Sequence, residues 1–241
     1  MNLKRITKGI KRIATAEIMM LAVTVGMAVP KIMLAGYDVK KVLATVTSDT
    51  LNETTRLPLT IAFFALVFMI ASAATKLVGV CKAAREVYYF KFTILPVSLM
   101  LAAALVIFYL EAAEVESGNP LISGIMRAVS NVSLIVFSFF ALRGARMLAD
   151  EVGNRRALML GWRFRIPVVI CGFVNAVSAG VTSFIDRQIL TTKGVVALTA
   201  VGAVAAFALY LMLLIVMTEL LKALKKLRAE QSMPENSSNS E

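Results

Sequence analysis

The chain has 241 residues, 59% of them hydrophobic, a formal net charge of +11 and no histidine. That apolar share exceeds the roughly 45–50% of soluble domains and excludes an ordinary water-soluble globule. The missing imidazole excludes histidine-ligated haem, HExxH zinc proteases and Ser–His intramembrane proteolysis. No Walker A, Rossmann or clustered-cysteine pattern occurs either, so no cofactor, no metal and no enzymatic role are expected.

A hydrocarbon core about 30 Å thick takes about 20 helical residues to cross. Six segments fit: Glu17–Gly36, Pro58–Val80, Ile94–Glu114, Leu121–Leu142, Ile166–Ile185 and Val195–Leu221. Backbone amides cannot go unpaired in lipid, and the segments are continuous apolar runs without the ten-residue alternation of a barrel. The expected fold is therefore an all-α integral membrane protein, a six-helix transmembrane bundle over residues 1–230. A disordered tail, 231–241, rich in Ser, Asn and Glu, follows.

The first helix follows a basic segment with Lys4, Arg5, Lys8, Lys11 and Arg12. Its run Ile18–Val29 and the pair Ala35-Gly36 loosely imitate a signal peptide. Met33 three residues before the cut and the interrupting Pro30-Lys31 argue for an uncleaved helix, kinked at the proline. In the loop Tyr37–Leu57, Val39, Val42, Leu43 and Val46 recur at helical spacing and predict a short amphipathic surface helix. Helix two carries the small-residue row Ala71, Thr75 and Gly79. Basic residues Lys76, Lys82, Arg85 and Lys91 then lie at or beyond its end, with Tyr88, Tyr89, Phe90 and Phe92 as interfacial anchors.

Helix three ends in Glu111 and Glu114, and the chain turns at Ser117-Gly118-Asn119-Pro120. Helix four places Gly124, Arg127, Asn131 and Ser138 on one face, and Arg143 and Arg146 lie beyond it. Arg155, Arg156, Trp162, Arg163 and Arg165 precede helix five, whose stripe is Cys171, Asn175, Ser178, Thr182 and Asp186. Beside that stripe run Gly172, Ala176 and Gly180, which with Gly202 and Ala206 of helix six predict close backbone packing. Helix six is expected to continue as a basic amphipathic extension carrying Lys222, Lys225, Lys226 and Arg228.

Most of the 26 basic residues fall before helix one, after helix six and in alternate connections. The positive-inside rule then predicts both termini in the cytoplasm and a plasma-membrane location, with a bacterial membrane as the prior. Two clusters, Lys4–Arg12 and Lys222–Arg228, are expected to contact anionic lipids of the inner leaflet, and no nucleic-acid partner is needed to explain the charge. Cys81 and Cys171 then face no oxidising compartment and read as ordinary small residues. Gly79–Val87 resembles Gly144–Val152, and Phe90-Lys91-Phe92 before Pro96 resembles Trp162-Arg163-Phe164 before Pro167. A parallel repeat of helical hairpins would produce this pattern, and so would the common need of inner connections for basic and aromatic residues.

Charged and amide side chains inside a membrane are costly and point to function. The candidate site is a polar pocket near the outer leaflet between helices three, four and five. It comprises Glu111, Arg127, Asn131, Asn175, Ser178, Thr182 and Asp186, with Glu111 as the expected partner of Arg127. This reading makes the protein a small-solute-binding or transport component, completed by a homo-oligomer or a partner membrane subunit. The competing reading is a non-enzymatic scaffold, sensor or regulator acting through its basic loops and C-terminal extension, its intramembrane polar residues serving only as helix glue.

Overall fold

The computed structural model describes residues 2–33, 53–113, 120–184 and 192–232. These residues form six long helices: α1 (Leu3–Met33), α2 (Glu53–Ala84), α3 (Ile94–Ala113), α4 (Pro120–Glu151), α5 (Arg155–Phe184) and α6 (Thr192–Ser232). A 3₁₀ segment, Tyr88–Thr93, joins α2 to α3, and no strand occurs among the described residues. All six helices are long and apolar enough to cross a membrane. The expected surface helix around Val39–Val46, the turn at 117–119, the loop around Asp186 and nearly all of the C-terminal tail lie outside the described residues.

Most helices run past the spans expected from hydropathy. Helix α1 starts at Leu3, not Glu17, because its first turns are amphipathic. Ile6, Ile10 and Ile13 are fully buried, while Lys4, Lys8, Lys11 and Arg12 are exposed on the other side. Asn2 caps this helix, its Oδ1 accepting from the Arg5 amide at 3.1 Å. Arg5 also meets Glu86 at 3.3 Å, which pins the start of α1 to the end of α2.

The connection between α4 and α5 is shorter than expected. Gly153 adopts φ +67°, the Asn154 amide donates to the Ala149 carbonyl and the Gly153 amide to that of Asp150. This is the glycine-terminated close of a helix. Asn154 then caps α5 by accepting from the Ala157 amide at 3.1 Å. Arg143, Arg146, Arg155, Arg156, Arg163 and Arg165 thus sit on helices, not in a loop.

The two hairpin connectors are built differently. Val87 is extended (φ −121°, ψ 116°) and launches the 3₁₀ segment, which buries Phe90 completely against Gly144. A Cβ on Gly144 would lie 3.0 Å from that ring, so glycine makes room for it. Trp162-Arg163-Phe164, by contrast, lies inside α5.

Each helix packs on its neighbours in sequence, and α1 closes on α6, so the six form a ring. Ring closure leaves an axial space that all six helices face. Large apolar residues such as Phe63, Leu95, Tyr109, Ile166, Phe173 and Val204 point outward. An outward apolar surface with polar groups turned inward is the arrangement that lipid requires.

Candidate functional site

The inward groups are organised by the crossing of α1 and α2. A Cβ on Gly9 would sit 2.9 Å from the Gly79 carbonyl oxygen, and one on Gly79 would sit 2.9 Å from that of Gly9. The two backbones therefore touch. Seven residues further along α1 and seven back along α2, Ser72 Oγ donates to the Ala16 carbonyl at 2.9 Å. Seven residues are two helical turns, so both contacts lie on the same faces.

That register brings Glu17 and Lys76 together. Lys76 Nζ lies 2.9 Å from Glu17 Oε1, and both side chains are 0% exposed. The ammonium also sits 4.6 Å from the centre of the Phe137 ring and 5.4 Å from that of Tyr210. Ring faces attract a desolvated cation by about 2 kcal/mol, but they cannot accept a full set of hydrogen bonds. No other hydrogen-bond partner among the described residues reaches the carboxylate or the ammonium. Lys76 is eight residues from the end of α2, about 12 Å along the helix axis at ~1.5 Å per residue.

Above this pair, toward the end of the bundle away from the basic residues, lies a cavity of about 210 Å³. Lys76, Ser72 and Tyr210 line it, as do Asn131, Asn175 and Ser178. Thr24 and Met20 of α1 and Met100 and Ala104 of α3 complete a wall contributed by all six helices. Asn175 Nδ2 donates to Asn131 Oδ1 at 3.1 Å across the α4–α5 contact. The space is below the ~300–1,000 Å³ of drug-sized pockets. A solute of a few non-hydrogen atoms fits.

Of the seven residues expected from sequence, Asn131, Asn175 and Ser178 meet here. Arg127 is half-buried and is not among the described residues lining the cavity. Asp186 lies outside the described residues, as do the side chains of Glu111 and Thr182. The cavity is thus lined from all six helices, not from helices three, four and five alone.

The small-residue rows divide. A Cβ on Gly172 would meet Ile135 Cγ1 at 2.7 Å, and one on Gly202 would meet Ser178 Cβ at 2.9 Å. Ala206 is buried and Ala176 half-buried, whereas a Cβ on Gly180 would meet no described atom within 4 Å. Cys171 is half-buried and Cys81 exposed, and no group of three His, Cys, Asp or Glu that could hold a metal occurs among the described residues.

Sequence reasoning missed Glu17, Lys76, Ser72 and Tyr210. Glu17 stood at the expected start of one helix and Lys76 near the expected end of another, where long charged side chains ordinarily reach water. One signal was present. Ile6, Ile10, Ile13, Glu17 and Met20 recur at spacings of three and four, so Glu17 occupies an apolar stripe opposite the lysines. No protein-family model, curated protein or solved structure matches the chain.

Proposed function

We propose that this multi-pass membrane protein is a small-solute-binding or transport component whose site is the axial cavity, and that its solute is a small anion bound at Lys76. The observation that carries the reading is the buried Glu17–Lys76 pair, whose lysine lines the cavity. Such a pair is expensive to bury and adds little stability over apolar packing, so its retention inside a membrane points to use.

Charge balance sets how the site would work. Empty, the carboxylate and the ammonium cancel. An anion that takes the ammonium leaves Glu17 buried without a counter-charge, which is far too costly in low dielectric. Glu17 then takes up a proton, so one anion and one proton enter together. Asn131 and Asn175 offer amide donors and acceptors to the rest of the solute, and Tyr210 offers a hydroxyl.

The test uses the full chain in detergent micelles with formate, acetate, lactate, chloride and phosphate as probes. A bound anion raises the melting temperature by linkage, and at 100 times its Kd the gain is about 2.7 kcal/mol. One proton per bound anion should leave a weakly buffered solution, read by a pH dye. The charge-balanced double variant Glu17→Gln with Lys76→Met should lose both responses. If that folded variant is stabilised as wild type is, or no anion in the set stabilises wild type, the reading is wrong.

The scaffold reading draws on a different observation. Helix α6 continues to Ser232 and exposes Lys222, Lys225, Lys226 and Arg228 beyond the expected span. Neutralising those four would release a partner and leave anion binding unchanged.

A further inference from the structure

A second polar space lies at the basic end of the bundle, between α4, α5 and the 3₁₀ segment. It has a volume of about 470 Å³, and Arg143, Arg146 and Arg165 line it together with Tyr89, Trp162 and Gly161. Each guanidinium lies over an aromatic ring, within cation–π distance. Arg143 lies 4.6 Å from the centre of Tyr89, Arg146 4.7 Å from that of Trp162 and Arg165 4.8 Å from that of Phe139. Arg143 also donates to the Tyr89 hydroxyl at 3.2 Å.

A ring contact restrains a guanidinium and uses none of its N–H donors; Arg143 spends one on the Tyr89 hydroxyl, and others can turn to a ligand. Some of the other basic side chains at this end meet carboxylates: Arg5 meets Glu86, and Arg156 and Lys222 share Glu219. Arg143, Arg146 and Arg165 meet none among the described residues, although Asp150 lies on the rim of the same cleft. Three cations around one cleft, none ion-paired to a carboxylate among the described residues, outnumber the single Asp150 on its rim and make a site for a compact, multiply acceptor-bearing anion. Phosphate has that chemistry, and arginine forks match its oxygens in pairs.

The cleft also has an apolar exit. Below Arg165 on α5, Ile166, Ile170, Phe173 and Val177 are exposed at successive turns and form a ridge facing outward. An acyl chain can lie along that ridge while its headgroup occupies the cleft. We infer that Arg143, Arg146 and Arg165 form a phosphate-binding site, and that an anionic phospholipid seated along the α5 ridge is its ligand. This site is separate from the axial cavity and does not depend on the role proposed for it. Basic pockets between transmembrane helices hold lipid headgroups in this way.

Trp162 is the one tryptophan in the chain and lines the cleft, so its fluorescence reports occupancy. The full protein in detergent micelles is titrated with phosphatidylglycerol brominated on its acyl chains, with phosphatidylcholine brominated in the same way, and with inorganic phosphate. Phosphatidylglycerol should quench saturably, with a midpoint at least tenfold lower than phosphatidylcholine. The triple variant R143Q/R146Q/R165Q should raise that midpoint at least tenfold while keeping the wild-type melting temperature. The variant R165K alone, which keeps the charge and loses the guanidinium fork, should fall between. Displacement of the lipid by millimolar phosphate would support the phosphate site and identify a free phosphate-bearing solute as a competing source. Equal quenching by the two lipids, or a folded triple variant with the wild-type midpoint, overturns the site.

Discussion

Removing one partner of the Glu17–Lys76 pair should be far worse than removing both. In Lys76→Met the carboxylate of Glu17 loses the one cation within reach, 2.9 Å away, and nothing else among the described residues bonds to it. Breaking a buried pair on one side costs about 3–5 kcal/mol, whereas replacing both partners by uncharged groups of similar volume is often neutral or better. For a chain of this size each kcal/mol moves the melting temperature by about 2–4 °C, so the single variant should lose roughly 6–20 °C. Glu17→Gln should lose a comparable amount, because it strands an ammonium against Phe137 and Tyr210. The double variant should melt within about 4 °C of wild type, on the same scaling. Unfolding of all four proteins in one detergent, analysed as a double-mutant cycle, gives the coupling between the two sites directly. A coupling below about 1 kcal/mol, or a double variant as unstable as the two singles summed, would refute the claim that each charge depends on the other.

Close helix contact gives a second expectation. Gly79→Ala would press a Cβ onto the Gly9 carbonyl and the Ile13 backbone nitrogen, which cannot yield, and should cost about 1–3 kcal/mol. Gly180→Ala, with no described atom within 4 Å of the new Cβ, should be neutral or stabilise by up to ~1 kcal/mol through helix propensity, and the same melts compare the two. Asn131→Ala leaves the Asn175 amide without the partner seen at 3.1 Å and should cost about 0.6–1.7 kcal/mol, read from the same curves. Orientation is open to labelling: with Cys171→Ser as background, the exposed Cys81 should react with a membrane-impermeant maleimide in inverted vesicles only. Reaction in right-side-out vesicles instead would place the basic end outside.

Hydropathy and spacing alone determined that this chain is helical, with six helices long and apolar enough to cross a membrane, because lipid allows isolated helices and the required run of ~20 apolar residues is a local property. They also placed Asn131 and Asn175 on faces able to meet, since a polar stripe at helical spacing has only one inward direction. Helix ends were less legible. The extensions of α1, α4 and α5 are amphipathic, with basic residues such as Lys8 and Arg143 on one side and buried ones such as Ile6 and Leu148 on the other, and averaged hydropathy sees only their mean. The Gly153-Asn154 turn could be read as punctuation, but its tightness depends on a positive φ and on three hydrogen bonds that only coordinates show.

What the tertiary structure decided is the register between helices distant in sequence. Gly9 on Gly79 sets where α1 crosses α2, that crossing aligns Glu17 with Lys76, and closure of α1 on α6 turns a row of hairpins into a ring with a polar axis. Two charges that each look like solvated helix ends become a buried pair only through that alignment. Long-range register depends on which side chains let two backbones touch, and pairwise steric fit is not encoded in either helix alone.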